Sequence, residues 1–148
     1  MDALEIVWVS AGDPRMAEAN DLRHAVLYEP FGVPRTEDWG DADASVRLVV
    51  VTRAGRVVGF ASLVLEEAGS ARVRQVSVAF DAQGTGVGRA LMREVEAEAR
   101  RSGVTRLWLE ARTTAEGFYH RLGYVTVSDV HPSGRTGVPH VTMELPLA

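Results

Sequence analysis

The segment RVRQVSVAFDAQGTGVGRALMREVEAEARR, Arg72 to Arg101, decides how the rest of the chain is read. Its first part, Arg72 to Val78, is rich in strand-forming residues. Val76, Val78 and Phe80 share one parity and Val73 the other, so strict alternation breaks. One extra residue in a strand produces such a break, and a bulge is expected near Arg74–Gln75. Gln83-Gly84-Thr85-Gly86-Val87-Gly88 then makes a glycine-rich turn. Val87, Leu91, Val95 and Ala99 recur every four residues, while Glu94, Glu96, Glu98, Arg100 and Arg101 fall outside that stripe. This is the spacing of an amphipathic helix, and Gly103 stops it. The first N–H groups of a helix have no partner and carry the positive end of the dipole. A phosphate-binding loop is therefore expected from Gln83 to Arg89.

Two familiar phosphate loops do not fit. A Walker loop needs Lys-Ser/Thr after its last glycine, and here Gly88 is followed by Arg89-Ala90. A dinucleotide fingerprint built on Gly84 and Gly86 needs glycine where Arg89 stands, which disfavours a nucleotide-dependent oxidoreductase. What remains is Gln-x-x-Gly-x-Gly at Gln83, Gly86 and Gly88.

Outward from this segment, the chain alternates strand-like and helical runs. Glu5 to Val9 is β-rich; from Pro14 a helix is expected, with Asp13 as its cap and Ala19, Leu22, Val26 and Leu27 on one side. Glu29 to Ala44 holds Pro30, Gly32, Pro34 and Gly40 with Phe31 and Trp39, the makings of a binding loop or of a rigid connection. Arg47–Thr52 and Arg56–Leu65 read as a hairpin that runs on into the central strand as an antiparallel meander. Thr105–Glu110 follows the long helix and so lies parallel to the central strand. Ala115–Leu122 is a short helix, Tyr124–Ser128 a strand, Val130–Pro139 a loop and His140–Leu145 a last strand.

The composition narrows the function classes. With 148 residues, 46% hydrophobic and 24% charged, the chain can bury the core of one domain, expected to span 1–148. A net charge of −4 and pI near 5.6 argue against nucleic-acid binding through overall charge. No apolar run is long enough for a bilayer and no leader pattern stands at Met1, so a cytoplasmic protein without a membrane partner is expected. There is no cysteine, hence no disulfide, thiolate metal site or cysteine intermediate; four scattered histidines give no metal site.

A second motif stands downstream of the first: Leu107-Trp108-Leu109-Glu110, then Ala115, Tyr119, and Gly123-Tyr124. Together with Gln83-x-x-Gly86-x-Gly88, in this order and with these elements between, it resembles the GNAT superfamily of N-acetyltransferases along most of the chain. The front, Leu22-Arg23 to Val26-Leu27 and Pro30, and the tail, Val138-Pro139-His140 with Met143, resemble a branch of small bacterial members. The resemblance implies an α/β fold: one mixed, mostly antiparallel sheet of about seven strands, helices on both faces, splayed at the central parallel pair. It also implies acetyl-CoA as acetyl donor and an amine, small or on a peptide or protein, as acceptor. Two departures stand out. Phe80 takes the place of a frequent proline, and Arg112, Thr113 and Thr114 stand where an asparagine is common. The second removes one expected hydrogen bond to the coenzyme.

Acyl transfer to an amine sets the site residues. The N–H groups of Gln83, Gly84, Thr85, Gly86, Val87, Gly88 and Arg89 are to hold a diphosphate. The backbone of Val76, Ser77 and Val78 can pair with an amide-bearing pantetheine arm. The resemblance places the same segment there and gives the protonation of the leaving thiolate to Tyr119. An ammonium has no lone pair, so a base is useful at neutral pH; Glu110, His140 or water can serve. Without cysteine, direct attack in a ternary complex is expected. A non-catalytic acyl-CoA-binding or sensing domain is the alternative. The slight overall acidity leans towards a cationic amine. A homodimer is compatible with all of this.

Overall fold

Strand β2, Val46–Arg53, buries side chains on both its faces, and this dictates a sheet covered on both sides. The computed structural model describes residues 3–147. Val49 and Val51 join a core cluster with the long helix α2, Val87–Arg101; Leu48 and Val50 join another with helix α1, Met16–Arg23. The expected stripe of α2 is fully buried: Val87, Leu91, Val95 and Ala99 expose nothing.

The other strands are β1 Leu4–Val9, β3 Arg56–Leu65, β4 Ser70–Val78, β5 Arg106–Arg112, β6 Val125–Thr126, β7 His131–Pro132 and β8 Pro139–Pro146. They order as β1-β2-β3-β4-β5-β8-β6, with β7 paired to β8 alone. The described sheet thus has eight strands where about seven were expected, because β7 forms inside the Val130–Pro139 loop. As expected, β4 and β5 are parallel across α2, and helix α3, Glu116–Arg121, follows β5.

The bulge lies where the broken alternation puts it. Phe60 faces Ser77 and Ser62 faces Arg74, so three steps of β4 match two of β3. Gln75 takes up the extra length at φ +58°, in the left-handed region. The Ser77 hydroxyl donates to the Gln75 carbonyl at 3.0 Å, and Ser62 to that of Arg74 at 3.2 Å. The extra residue brings Val73, Val76 and Val78 onto one face, against the α2-side core.

Two boundaries differ from the sequence reading. Asp13 does not cap α1; its carboxylate accepts from the Arg15 N–H and guanidinium, all at 2.9 Å, and the helix starts at Met16. This closed local turn satisfies Asp13 before the helix begins. β6 covers only two of the five residues expected, since Val127 leaves the ladder after its N–H bonds Thr142.

Tyr124 is buried, and its hydroxyl finds no partner among the described residues. An orphaned buried hydroxyl costs about 1–3 kcal/mol, so Tyr124→Phe is expected to raise stability by about 1 kcal/mol in urea unfolding. A loss of that size would show that the hydroxyl is bonded in solution.

Candidate active site

β4 and β5 pair only at Ser70–Arg106, Ala71–Leu107 and Arg72–Trp108. Beyond that point they diverge. The β5-facing backbone edge of Val73–Val78 is left without a strand partner, although the other edge stays on β3. A cavity of about 500 Å³ opens in the gap, walled by Val73–Val76 and Leu109–Arg112, with Tyr119 and His140 at its sides. Its size suits a small ligand.

The glycine turn is open. Gly84 and Gly86 sit at φ +76° and +93°, and a Cβ on either would meet nothing within 4 Å. The first bond of α2 runs from the Ala90 N–H to the Gly86 carbonyl at 3.0 Å, which leaves the N–H groups of Val87, Gly88 and Arg89 without a helical acceptor. These donors and the room above them fit a diphosphate. Gly88 differs: a Cβ there would lie 3.2 Å from Phe118, so this glycine lets α2 approach α3. The Gln83 amide donates to the Val78 carbonyl at 3.0 Å and ties the turn to the end of β4. Val87 is in the core and offers only its N–H; the Arg89 side chain lies exposed on the helix.

Tyr119 is buried on α3, edge-on to Phe118 at 5.0 Å and to Tyr124 at 5.7 Å. Burial pushes its phenol above the ordinary tyrosine value, partly offset by the nearby Arg112 charge. Glu110 is paired with Arg72 at 3.3 Å on the cavity wall. His140 Nδ1 lies 2.7 Å from the Val138 carbonyl. A carbonyl only accepts, so Nδ1 carries the proton and the lone pair is on Nε2. His140 faces Arg112 directly across β5 and β8, and Glu110 faces Thr142, so all four share one face of that pair. Tyr119 comes from the other face, where α2 and α3 pack, and the gap joins the two. His24, His120 and His131 are not among the cavity walls.

The sequence reading named Arg23 only as part of a resemblance and gave it no role. It is fully buried between the rings of Trp39 and Phe60, each 4.2 Å from the guanidinium carbon. It donates to Asp41 at 3.1 and 2.5 Å, to Asn20, and to the bulge residue Gln75 at 2.7 Å. Trp39 in turn stacks on Tyr28 at 5.4 Å, which pins the Glu29–Ala44 loop to the core. That loop lines a second cavity instead; Val26–Tyr28 and Ser133–Thr136 flank the first. Among the described residues no group of three His, Asp or Glu side chains is placed to hold a metal, and no helix is long and apolar enough to cross a membrane.

Comparison with known proteins places these features in a family. The family described as Acetyltransferase (GNAT) domain matches residues 36–147. Serotonin N-acetyltransferase 2 of Oryza sativa subsp. japonica is 33% identical over 86% of this chain. The match spans 57% of that protein's length, and 63% of another curated relative's. Among solved structures, a provisionally assigned N-acetyltransferase from Lactobacillus plantarum superposes with a TM-score of 0.84 at 26% identity, covering 99% of this chain and 100% of that one. An aminoglycoside 6'-N-acetyltransferase complexed with coenzyme A shares the fold, with a TM-score of 0.81 at 16% identity over 97% of each chain.

Proposed function

This chain belongs to the GNAT acetyltransferase family, and from that premise we propose that it transfers an acetyl group from acetyl-CoA to a primary amine. Transfer takes place by direct attack in a ternary complex, on one catalytic domain spanning 1–148, in the cytoplasm. The observation that supports this most is the divergence of β4 from β5 beside an open glycine turn at a helix N-terminus. No metal, nucleic acid or membrane takes part, and a homodimer is compatible with the reading.

Acetyl-CoA supplies an activated acyl group on a thioester. The N–H groups between Gln83 and Arg89 hold its diphosphate. The free edge of Val76–Val78 aligns the amide-bearing arm, and a main-chain N–H there polarises the reacting carbonyl. The acceptor ammonium gives up two protons in all; one ends on the sulfur and one in solvent. His140 Nε2 takes the first of these, because its partner Nδ1 is fixed in the protonated form. Glu110 is less free to meet the amine, its carboxylate being engaged by Arg72. Tyr119 Oη protonates the sulfur and recovers its own proton from the second one the attacking nitrogen sheds, while the proton on His140 passes to solvent.

The test is release of free thiol from acetyl-CoA across a panel of amines; silence with every amine, despite tight acetyl-CoA binding, would favour a sensing domain. With an active amine in hand, His140→Gln is expected to lower kcat/KM roughly 100-fold and Glu110→Gln less than about fivefold. The reverse ranking would move the base to Glu110.

A further inference from the structure

The cavity between β4 and β5 carries a charge that acetyl transfer to an amine does not require. Arg72, Arg74, Arg112 and Arg135 line it against one carboxylate, Glu110, which Arg72 already holds. Among the described residues Arg74, Arg112 and Arg135 form no ion pair. Arg112 is half-buried: it spends one donor on the Val26 carbonyl at 3.1 Å and rests on the Phe31 ring at 4.7 Å. Arg74 is also half-buried and has no partner for Nε, but its guanidinium reaches past the bulge towards Gly40 and the second cavity, where Asp41 offsets part of its charge, so Arg112 is the less compensated of the two. A guanidinium taken partly out of water without a counter-ion is costly unless an anion completes it. Burial lowers the pKa of both; at Arg74 the Arg72 charge adds to this and Asp41 offsets part of it, whereas among the described residues no carboxylate acts on Arg112.

The coenzyme's diphosphate does not answer this need. Its proposed turn does not line the cavity. Ala71, Val73, Leu109 and Ala111 face the α2 side, so by alternation Arg72, Arg74, Glu110 and Arg112 face the opposite side, that of His140 and Thr142. Arg112 and His140 are direct cross-strand neighbours, which sets their Cβ atoms roughly 5 Å apart. Both line the cavity, so an anion on Arg112 would hold the rest of its molecule in the space that His140 also faces.

Resting on the acetyltransferase reading above, we propose that the acceptor carries a carboxylate next to its amine, as a free amino acid does, and that Arg112 binds this carboxylate, with Arg74 and Arg135 supplying the surrounding positive field. Planar guanidinium is suited to this, since it meets a carboxylate with two parallel hydrogen bonds. The chain's net charge of −4 gives no guide here, because among the described cavity walls one carboxylate, Glu110, stands against four arginines and the local balance is positive.

The experiment compares L-amino acids with their carboxamides and their decarboxylated amines in the thiol-release assay. In parallel, N-acetyl amino acids and their amides are titrated calorimetrically into the protein, with and without CoA. At least one amino acid is expected to exceed both its amide and its amine by 10-fold or more in kcat/KM. Its N-acetyl acid is expected to bind at least 10-fold tighter than the N-acetyl amide. Arg112→Gln should collapse both ratios to near one, whereas Arg112→Lys should restore part of the preference. Amides or simple amines that match or outdo every acid, in turnover and in binding, would overturn the proposal. A failed transfer reaction would show separately, as no thiol release with any acceptor; the titrations would still decide the carboxylate site.

Discussion

Tyr119→Phe is expected to lower kcat about 10²- to 10³-fold while acetyl-CoA affinity stays within about twofold. The phenol is buried beside the gap in the sheet, and removing one oxygen leaves the edge-on contacts to Phe118 and Tyr124 in place. What is lost is the proton that a departing thiolate needs, and general-acid contributions are of this size. The sign of the pH dependence follows from burial. The neutral form is favoured, so Tyr119 keeps its proton past the ordinary tyrosine value of about 10. The rate should therefore show no loss from this group between pH 7 and about pH 10. The same shift makes the fold lose stability only above about pH 10, where the unfolded chain ionises first. Unchanged turnover in Tyr119→Phe would remove the residue from the mechanism.

The largest stability effect is expected at Arg23. Arg23→Ala should cost about 3–5 kcal/mol in denaturant unfolding, because it strands Asp41 and the Gln75 amide oxygen and leaves a void between Trp39 and Phe60. The effect should reach the site. Gln75 holds the strained step that turns Val76 and Val78 towards the α2 side, and Arg23 ties its side chain to α1. A weaker hold on that step should raise the KM for acetyl-CoA. Arg23→Lys should recover little, since an ammonium cannot serve Asp41 and Gln75 in the same plane. A loss under about 1 kcal/mol in Arg23→Ala would mean that this buried cation is not the clamp described.

The central segment was readable because its signals are local. The broken alternation at Val73 and Val76, the four-residue stripe of α2 and the glycines ahead of it each follow from backbone geometry over a few positions. The parallel β4–β5 pair was readable because a strand, a helix and a strand have one favoured handedness. Arg23 was not readable. On a helix it looks like a solvated arginine, and its burial depends on Asp41 and Gln75, 18 and 52 residues away. Arg112 escaped for a related reason: it registered as a missing asparagine, while its place opposite His140 depends on the β5–β8 register. The extent of the gap was equally hidden, since no residue marks where two strands cease to pair.

The measurement that bears most directly on the whole account is a crystal structure with acetyl-CoA bound. The account predicts the diphosphate against the N–H groups between Gln83 and Arg89, the amide arm along Val76–Val78, and the sulfur within hydrogen-bonding reach of Tyr119 Oη. A coenzyme bound elsewhere, with the turn and the gap between β4 and β5 left vacant, would contradict it.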